Sequence, residues 1–161
     1  MGSRLVHPLA PVFNEDSNIL ILGSFPSVKS REGEFFYHHP QNRFWRVIST
    51  VFNEELPETV EEKRNILLRN NIALWDVVQS CEITGSADIS IKNVIPNDIM
   101  PILEKAKIQV LYANGGTAYR LYKRYIFNHS KREIILLPST SPANASYSLD
   151  RLIEAWKVIR L

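Results

Sequence analysis

The chain has 161 residues, a length that suits one domain with a real hydrophobic core. Its formal net charge of +2 permits nucleic-acid binding without establishing it, and no apolar run is long enough to span a membrane. The single cysteine, Cys81, excludes an intramolecular disulfide and a cysteine zinc cage; the N-terminus lacks the charged-then-apolar layout of a secretion signal, so a cytoplasmic protein is expected.

Residues 1–17 are mixed, with His7, Pro8 and Pro11 breaking any regular element. Ile19 to Leu22 is a short apolar run that suits a strand buried on both faces and stops at Gly23. A loop over 23–41 follows, polar at first and then crowded with Phe35, Phe36, Tyr37, His38, His39 and Pro40. From Asn42, the spacing of Phe44, Val47, Ile48, Val51 and Phe52 predicts an amphipathic helix. Thr59 and Glu62 have capping-box spacing, which predicts a second helix over about 60–70. Ile72 to Val78 reads as the second strand and 80–95 as a polar loop. Pro96-Asn97-Asp98 starts a helix to about Lys105. Ile108 to Ala113 is the third strand, turned by Asn114-Gly115-Gly116-Thr117 into a tyrosine-rich helix. Glu133 to Leu137 is the fourth strand, and Ser148 can cap a last helix.

Strands thus alternate with helices. The pattern predicts one α/β domain over 1–161, a three-layer sandwich with a central four-stranded parallel sheet and helices on both faces. In such a fold ligands bind beyond the C-terminal ends of the strands. Those ends carry the loops 23–42, 76–88 and 138–147, with the Asn114 turn as the fourth.

Gly23-Ser24-Phe25-Pro26-Ser27 offers backbone N–H groups, but its spacing fits neither a Walker loop nor a dinucleotide fingerprint. His38, His39, Gln41 and Asn42 are too polar a group for core packing, although an Asn at a helix start also reads as a cap. One of Phe35 and Phe36 is expected in the core. Adjacent histidines without a spaced carboxylate argue against a metal site. Ser139 to Ser148 is rich in hydroxyls suited to phosphates, or is a solvated loop; no Gly-x-Ser-x-Gly elbow supports a serine hydrolase.

Taken together, GSFPS, HPQNRFW and STSPAN resemble the uracil-DNA glycosylase superfamily, and within it most closely the hypoxanthine-DNA (deoxyinosine) glycosylase branch. The first and last motifs sit where that superfamily has its two signature loops. His39 to Trp45 looks like the His-Pro-x-Asn-Arg-Phe-Trp run of mismatch-specific relatives. The position where those relatives carry a first-loop catalytic Asn is Phe25, and the resemblance to the hypoxanthine branch implies that the role falls to Asn42. It further implies that Gly23, Ser24, Phe25, Pro26, Phe35, Phe36, Asp76 and Ser139 bind the base. Asp76 would accept the N1–H of hypoxanthine or act as a turn cap. Ser27, Lys29, Arg43, Ser141, Pro142, Ala143, Asn144 and Tyr147 would bind DNA, with Arg31 as a further phosphate partner. Ala143 stands where some relatives carry a wedging Leu, so insertion into the duplex should be weaker or fall to Tyr147. His38 or His39 would place the loop or protonate a purine.

The activity so implied is monofunctional hydrolysis of the N-glycosidic bond of a flipped deaminated base, hypoxanthine foremost, in base excision repair. The partner is DNA, the protein a monomer, and neither cofactor nor metal is needed. Alternatives are a uracil or mismatch-thymine glycosylase, a non-catalytic nucleic-acid-binding module on the same fold, and a hydrolase of free nucleosides.

Overall fold

The computed structural model describes residues 4–85 and 87–161; residues 1–3, and Ser86 of the polar loop, lie outside it. After a short strand β1 (Arg4–Val6), the run Ile19-Leu20-Ile21-Leu22 forms β2 (Ile19–Gly23), whose five residues are all buried. The loop read over 23–41 contains a helix, α1 (Val28–Gly33), started by Ser27, whose hydroxyl accepts from the Ser30 N–H. Next come α2 (Phe44–Val51) and α3 (Val60–Arg69), the latter capped by Thr59 accepting from the Glu62 N–H as the spacing predicted. The second strand is β3 (Ile72–Asp76).

Residues 80–95 differ from the loop expected there. With Val78 they build β4 (Val78–Glu82) and, after one 3-10 turn (Asp88–Ser90), β5 (Lys92–Pro96). These pair with β1 in a small antiparallel sheet of order β1-β4-β5. The reason is local: β4 and β5 are each covered on only part of their surface, so polar residues fill much of both. The chain continues through α4 (Met100–Lys105), β6 (Val110–Asn114), α5 (Gly116–Tyr125), α6 (Phe127–Ser130), β7 (Ile134–Leu137) and α7 (Leu149–Trp156).

The main sheet is parallel, with order β3-β2-β6-β7. The alternation of β2 assigns its side chains. Ile19 and Ile21 enter a core with Phe44, Val47 and Ile48 of α2, Ile66 and Leu67 of α3, and Trp156 of α7. Leu20 and Leu22 enter the opposite core with Ile102 of α4, Ala118 and Tyr122 of α5, and Val78 and Cys81 of β4. Two apolar faces on one strand explain why it reads as an unbroken apolar run. They also give the three layers expected from the sequence. Because β3 and β6 flank β2, the chain reverses its direction of travel across the sheet there. That reversal opens a crevice at the C-terminal ends of the central strands.

Candidate active site

A cavity of about 410 Å³ lies in that crevice, within the range of small-ligand sites. All four strands of the main sheet deliver residues to it: Gly23 ends β2, Asp76 ends β3, Asn114 ends β6, and Ser139 and Thr140 follow β7. Phe25 and Phe36 contribute aromatic surface, and Asn42 stands at the mouth of α2.

Asn42 is fixed by both neighbours of its side-chain oxygen. The Phe44 backbone N–H donates to Oδ1 at 2.9 Å, and the Thr140 hydroxyl donates to the same atom at 2.9 Å. A backbone N–H can only donate, so the atom facing it is the carbonyl oxygen and the amide cannot be flipped. Thr140 is oriented in turn by Asn114. The Asn114 Nδ2 donates to the Thr140 hydroxyl at 3.0 Å, while Asn114 Oδ1 accepts from the Thr140 N–H. The cap expected of Asn42 is therefore present, and it is made by the oxygen alone. Among the described residues the Nδ2 group has no hydrogen-bond partner, and it is the donor that Asn42 has left for the cavity it lines.

Asp76 lies across the cavity, only 3% exposed. His7 holds it: Nδ1 accepts from the Leu9 N–H, so the proton sits on Nε2, which donates to Asp76 Oδ2 at 2.8 Å. The other carboxylate oxygen packs over Gly23. A Cβ there would stand 2.4 Å from Asp76 Oδ1 and 2.7 Å from the Tyr37 hydroxyl oxygen, so only glycine fits. Both oxygens lie close to one point, and an acceptor and a hydroxyl thus sit side by side. Tyr37 has a left-handed backbone (φ 51°), stacks on Phe44 at 4.2 Å, and buries its hydroxyl without a hydrogen-bond partner among the described residues. Burial, and then the nearby Asp76 charge, push its pKa far above the ordinary value. Asn114 is near enough to ease that shift but lies outside hydrogen-bonding geometry. Tyr37 stays a donor.

Asp88 reaches the cavity from the 3-10 turn and accepts from the Ser24 hydroxyl at 2.9 Å. Surrounding protein raises its pKa, against the hydrogen bond from Ser24; the residue as a whole is exposed, so water weakens that push. His39 lines the cavity with Nδ1 occupied by the Gln41 N–H, whereas His38 packs against Gly33 outside it.

The loop after β7 is braced from within. Ser139 and Ser141 hydroxyls accept from the Ser141 and Ala143 N–H groups, and Asn144 Nδ2 donates to the Ser139 carbonyl. Arg43 ties the loop to α2. Its Nη2 donates to the carbonyls of Ser141 (2.9 Å) and Asn144 (3.0 Å), and its Nη1 donates to that of Tyr147. Among the described residues no cluster of three or more His, Cys, Asp or Glu side chains could hold a metal ion.

The Uracil DNA glycosylase superfamily model matches residues 10–160. The chain belongs to the uracil DNA glycosylase superfamily. It is a DNA glycosylase, as the three sequence motifs implied. It is 34% identical over 152 residues to the Hypoxanthine DNA glycosylase of Methanosarcina acetivorans, covering 92% of this chain and 93% of that protein. A protein of the same name from Methanosarcina barkeri is 35% identical over 107 residues, covering 65% of this chain and 68% of that one. The solution NMR structure of a Methanosarcina acetivorans protein named provisionally as a uracil DNA glycosylase superposes with a TM-score of 0.81. It is 31% identical, and 96% of each chain is covered.

In this glycosylase, the residues singled out from sequence fall in several different places. Gly23, Ser24, Phe25, Pro26, Ser27, Phe36, Asn42, Asp76, Ser139, Ser141, Pro142 and Ala143 line the cavity. Phe35 does not: it stacks on Trp45 in the core, and Phe36, equally buried at 2% exposed, belongs to the same core while also lining the cavity, so both phenylalanines are core where one was expected. Lys29 is on the exposed side of α1 near Glu32. Arg43 directs its Nη1 and Nη2 donors to loop carbonyls, and Asn144 likewise braces the loop. Tyr147 borders a neighbouring cavity with its ring beneath the Arg151 guanidinium, 4.4 Å away. Sequence reasoning did not assign His7, Tyr37, Asp88, Asn114 or Thr140 a place in the site. Tyr37, Asp88, Asn114 and Thr140 do fall in the four strand-end segments that the sequence pointed to, whereas His7 does not.

Proposed function

We propose that this glycosylase hydrolyses the N-glycosidic bond of a deaminated base flipped out of DNA, hypoxanthine foremost, as a monofunctional enzyme of base excision repair. The observation that carries the reading is the fixed Asn42 amide, which lines a cavity at the strand ends and keeps an Nδ2 donor without a partner among the described residues. Bond cleavage gives the sugar oxocarbenium character and the departing base negative charge. A rigid N–H donor can hold the attacking water by its lone pair or stabilise the leaving base. Phe36 or Phe25 would stack on the base.

Selection of a deaminated base follows from the opposite wall. Asp76 Oδ1 is an acceptor for the N1–H of hypoxanthine, and Tyr37, a neutral donor buried beside it, would turn its hydroxyl to O6 as the base enters. Adenine presents N1 as an acceptor and N6 as a donor, so each group would meet its like, and buried mispaired groups cost about 1–3 kcal/mol each. Uracil carries a similar N–H and carbonyl edge. The preference for hypoxanthine is supported by the names of the two Methanosarcina relatives. A monofunctional route is supported by the cavity lining, which among the described residues contains no lysine to form a Schiff base.

The test is incubation with duplex oligonucleotides bearing hypoxanthine, xanthine, uracil or mismatched thymine, followed by alkali. Hypoxanthine is expected to be released fastest, without strand cleavage before alkali and without borohydride trapping of a protein–DNA adduct. No release of any base at enzyme excess would overturn the catalytic reading, and uracil as the best substrate would overturn the preference.

A further inference from the structure

A flipped nucleotide leaves a hole in the base stack, and proteins that hold such distorted duplexes commonly fill it with an apolar side chain. The loop after β7 has little to offer. Ala143 supplies only a methyl group, and the Tyr147 ring is covered by Arg151. The opposite rim is different. Ile89, on the 3-10 turn, is 97% exposed, while its neighbours Ala87 and Asp88 line the cavity. Scattered exposed apolar residues are ordinary, but this one tops a turn braced from every side. The Ser24 hydroxyl holds Asp88, Arg31 Nη2 donates to the Gly85 carbonyl at 2.9 Å, and the Ser90 hydroxyl donates to the Ala87 carbonyl at 2.7 Å. The Thr84 N–H donates back to Ser90 Oγ, and the backbone N–H groups of Ser90 and Ile91 close the turn on Ala87 and Asp88. The chain thus spends a network of hydrogen bonds to present one isobutyl-sized group to solvent at the edge of the base cavity.

We infer that Ile89 is the wedge that enters the duplex and occupies the space left by the extruded nucleotide. The inference rests on the chain's acting on a flipped base in duplex DNA, and not on which base that is. The wedge acts on extrusion alone: it stabilises the open duplex, and single-stranded substrate has no stack to fill.

Two measurements test it. On hypoxanthine oligonucleotides of one sequence, Ile89→Ala should lower duplex excision roughly tenfold or more relative to single-strand excision, while Ile89→Leu keeps the wild-type ratio. An unchanged ratio, or equal loss on both substrates, would overturn the assignment. The second needs no excision. In a duplex holding an abasic-site analogue with 2-aminopurine as the adjacent base, bound wild-type protein and Ile89→Leu should alter the fluorescence beyond what bound Ile89→Ala does. Equal fluorescence in all three bound complexes would overturn the wedge whatever base the enzyme removes. If hypoxanthine is not excised while the fluorescence difference is seen, the substrate reading fails and the wedge stands.

Discussion

Replacing Gly23 by Ala probes the tightest contact in the cavity. Gly23 lacks a left-handed backbone, so a side chain there costs nothing in conformation and the effect is steric. The new methyl would stand 2.4 Å from Asp76 Oδ1, against the 3.0 Å below which real Cβ contacts essentially do not occur, so the carboxylate must retreat by at least about 0.6 Å. Asp76 is 3% exposed and tied to His7 at 2.8 Å, so that retreat strains or breaks a buried charged hydrogen bond. Such bonds are worth about 1.5–3 kcal/mol. At about 1.4 kcal/mol per decade, kcat/KM should fall roughly ten- to hundredfold. If the same energy is lost from folding, Tm should fall by about 3–12 °C. Single-turnover excision from a hypoxanthine duplex and a thermal melt read both. The same substitution in an Asp76→Ala background should cost less, because the closer of the two clashes is gone and only the Tyr37 hydroxyl, at 2.7 Å, is left to move. Wild-type Tm and kcat/KM in Gly23→Ala would refute the packing of Asp76 over Gly23 and the pocket wall built on it.

Two further predictions concern groups whose jobs are distinguishable. Arg43→Gln cannot bridge three loop carbonyls at once, so excision should fall roughly tenfold or more while the dependence of DNA affinity on log salt keeps its slope. A slope reduced by about one would instead mark Arg43 as a phosphate contact. Burial raises the Tyr37 pKa above the ordinary 10, so its neutral form is favoured in the fold. The stability this contributes is complete below pH 10 and is lost as pH rises above it, because the unfolded chain ionises there first. Absorbance at 295 nm should therefore show the same titration amplitude for Tyr37→Phe and wild type until the protein unfolds. The variant should also melt no lower than wild type, since it removes an unpartnered buried hydroxyl, and yet excise hypoxanthine more slowly. A missing titration step near pH 10, or undiminished excision, would contradict the donor role.

The parallel sheet was legible because its strands announce themselves as apolar runs, Ile19 to Leu22, buried on both faces, most clearly, and even β7, where Ile135 and Leu136 are exposed, stays apolar throughout. The antiparallel sheet was not, because Gln79 in β4 and Lys92 and Asn93 in β5 face solvent and leave no clean period. Asn42 could be found because its motif is contiguous. Its working state could not, because the Thr140 hydroxyl that saturates Oδ1 lies 98 residues away. His7 and Asp76 are 69 residues apart and share no local pattern. Phe35 and Phe36 are adjacent in sequence and both buried in one core, and only the path of the chain brings Phe36 to the cavity as well. Arg43 read as a phosphate partner because charge is visible in a sequence and backbone carbonyls are not.

The most direct test of the central claim is Asn42→Asp. The substitution keeps an oxygen to accept from the Phe44 N–H and the Thr140 hydroxyl, so the cap and the fold should persist, while the free donor facing the cavity becomes an acceptor. With single-turnover excision measured on a hypoxanthine duplex and affinity measured on the same duplex, Tm should stay near wild type and binding should be largely retained. Excision should fall roughly a hundredfold or more, the scale on which a preorganised donor acts. Excision at the wild-type rate in a folded, DNA-binding Asn42→Asp protein would contradict the account.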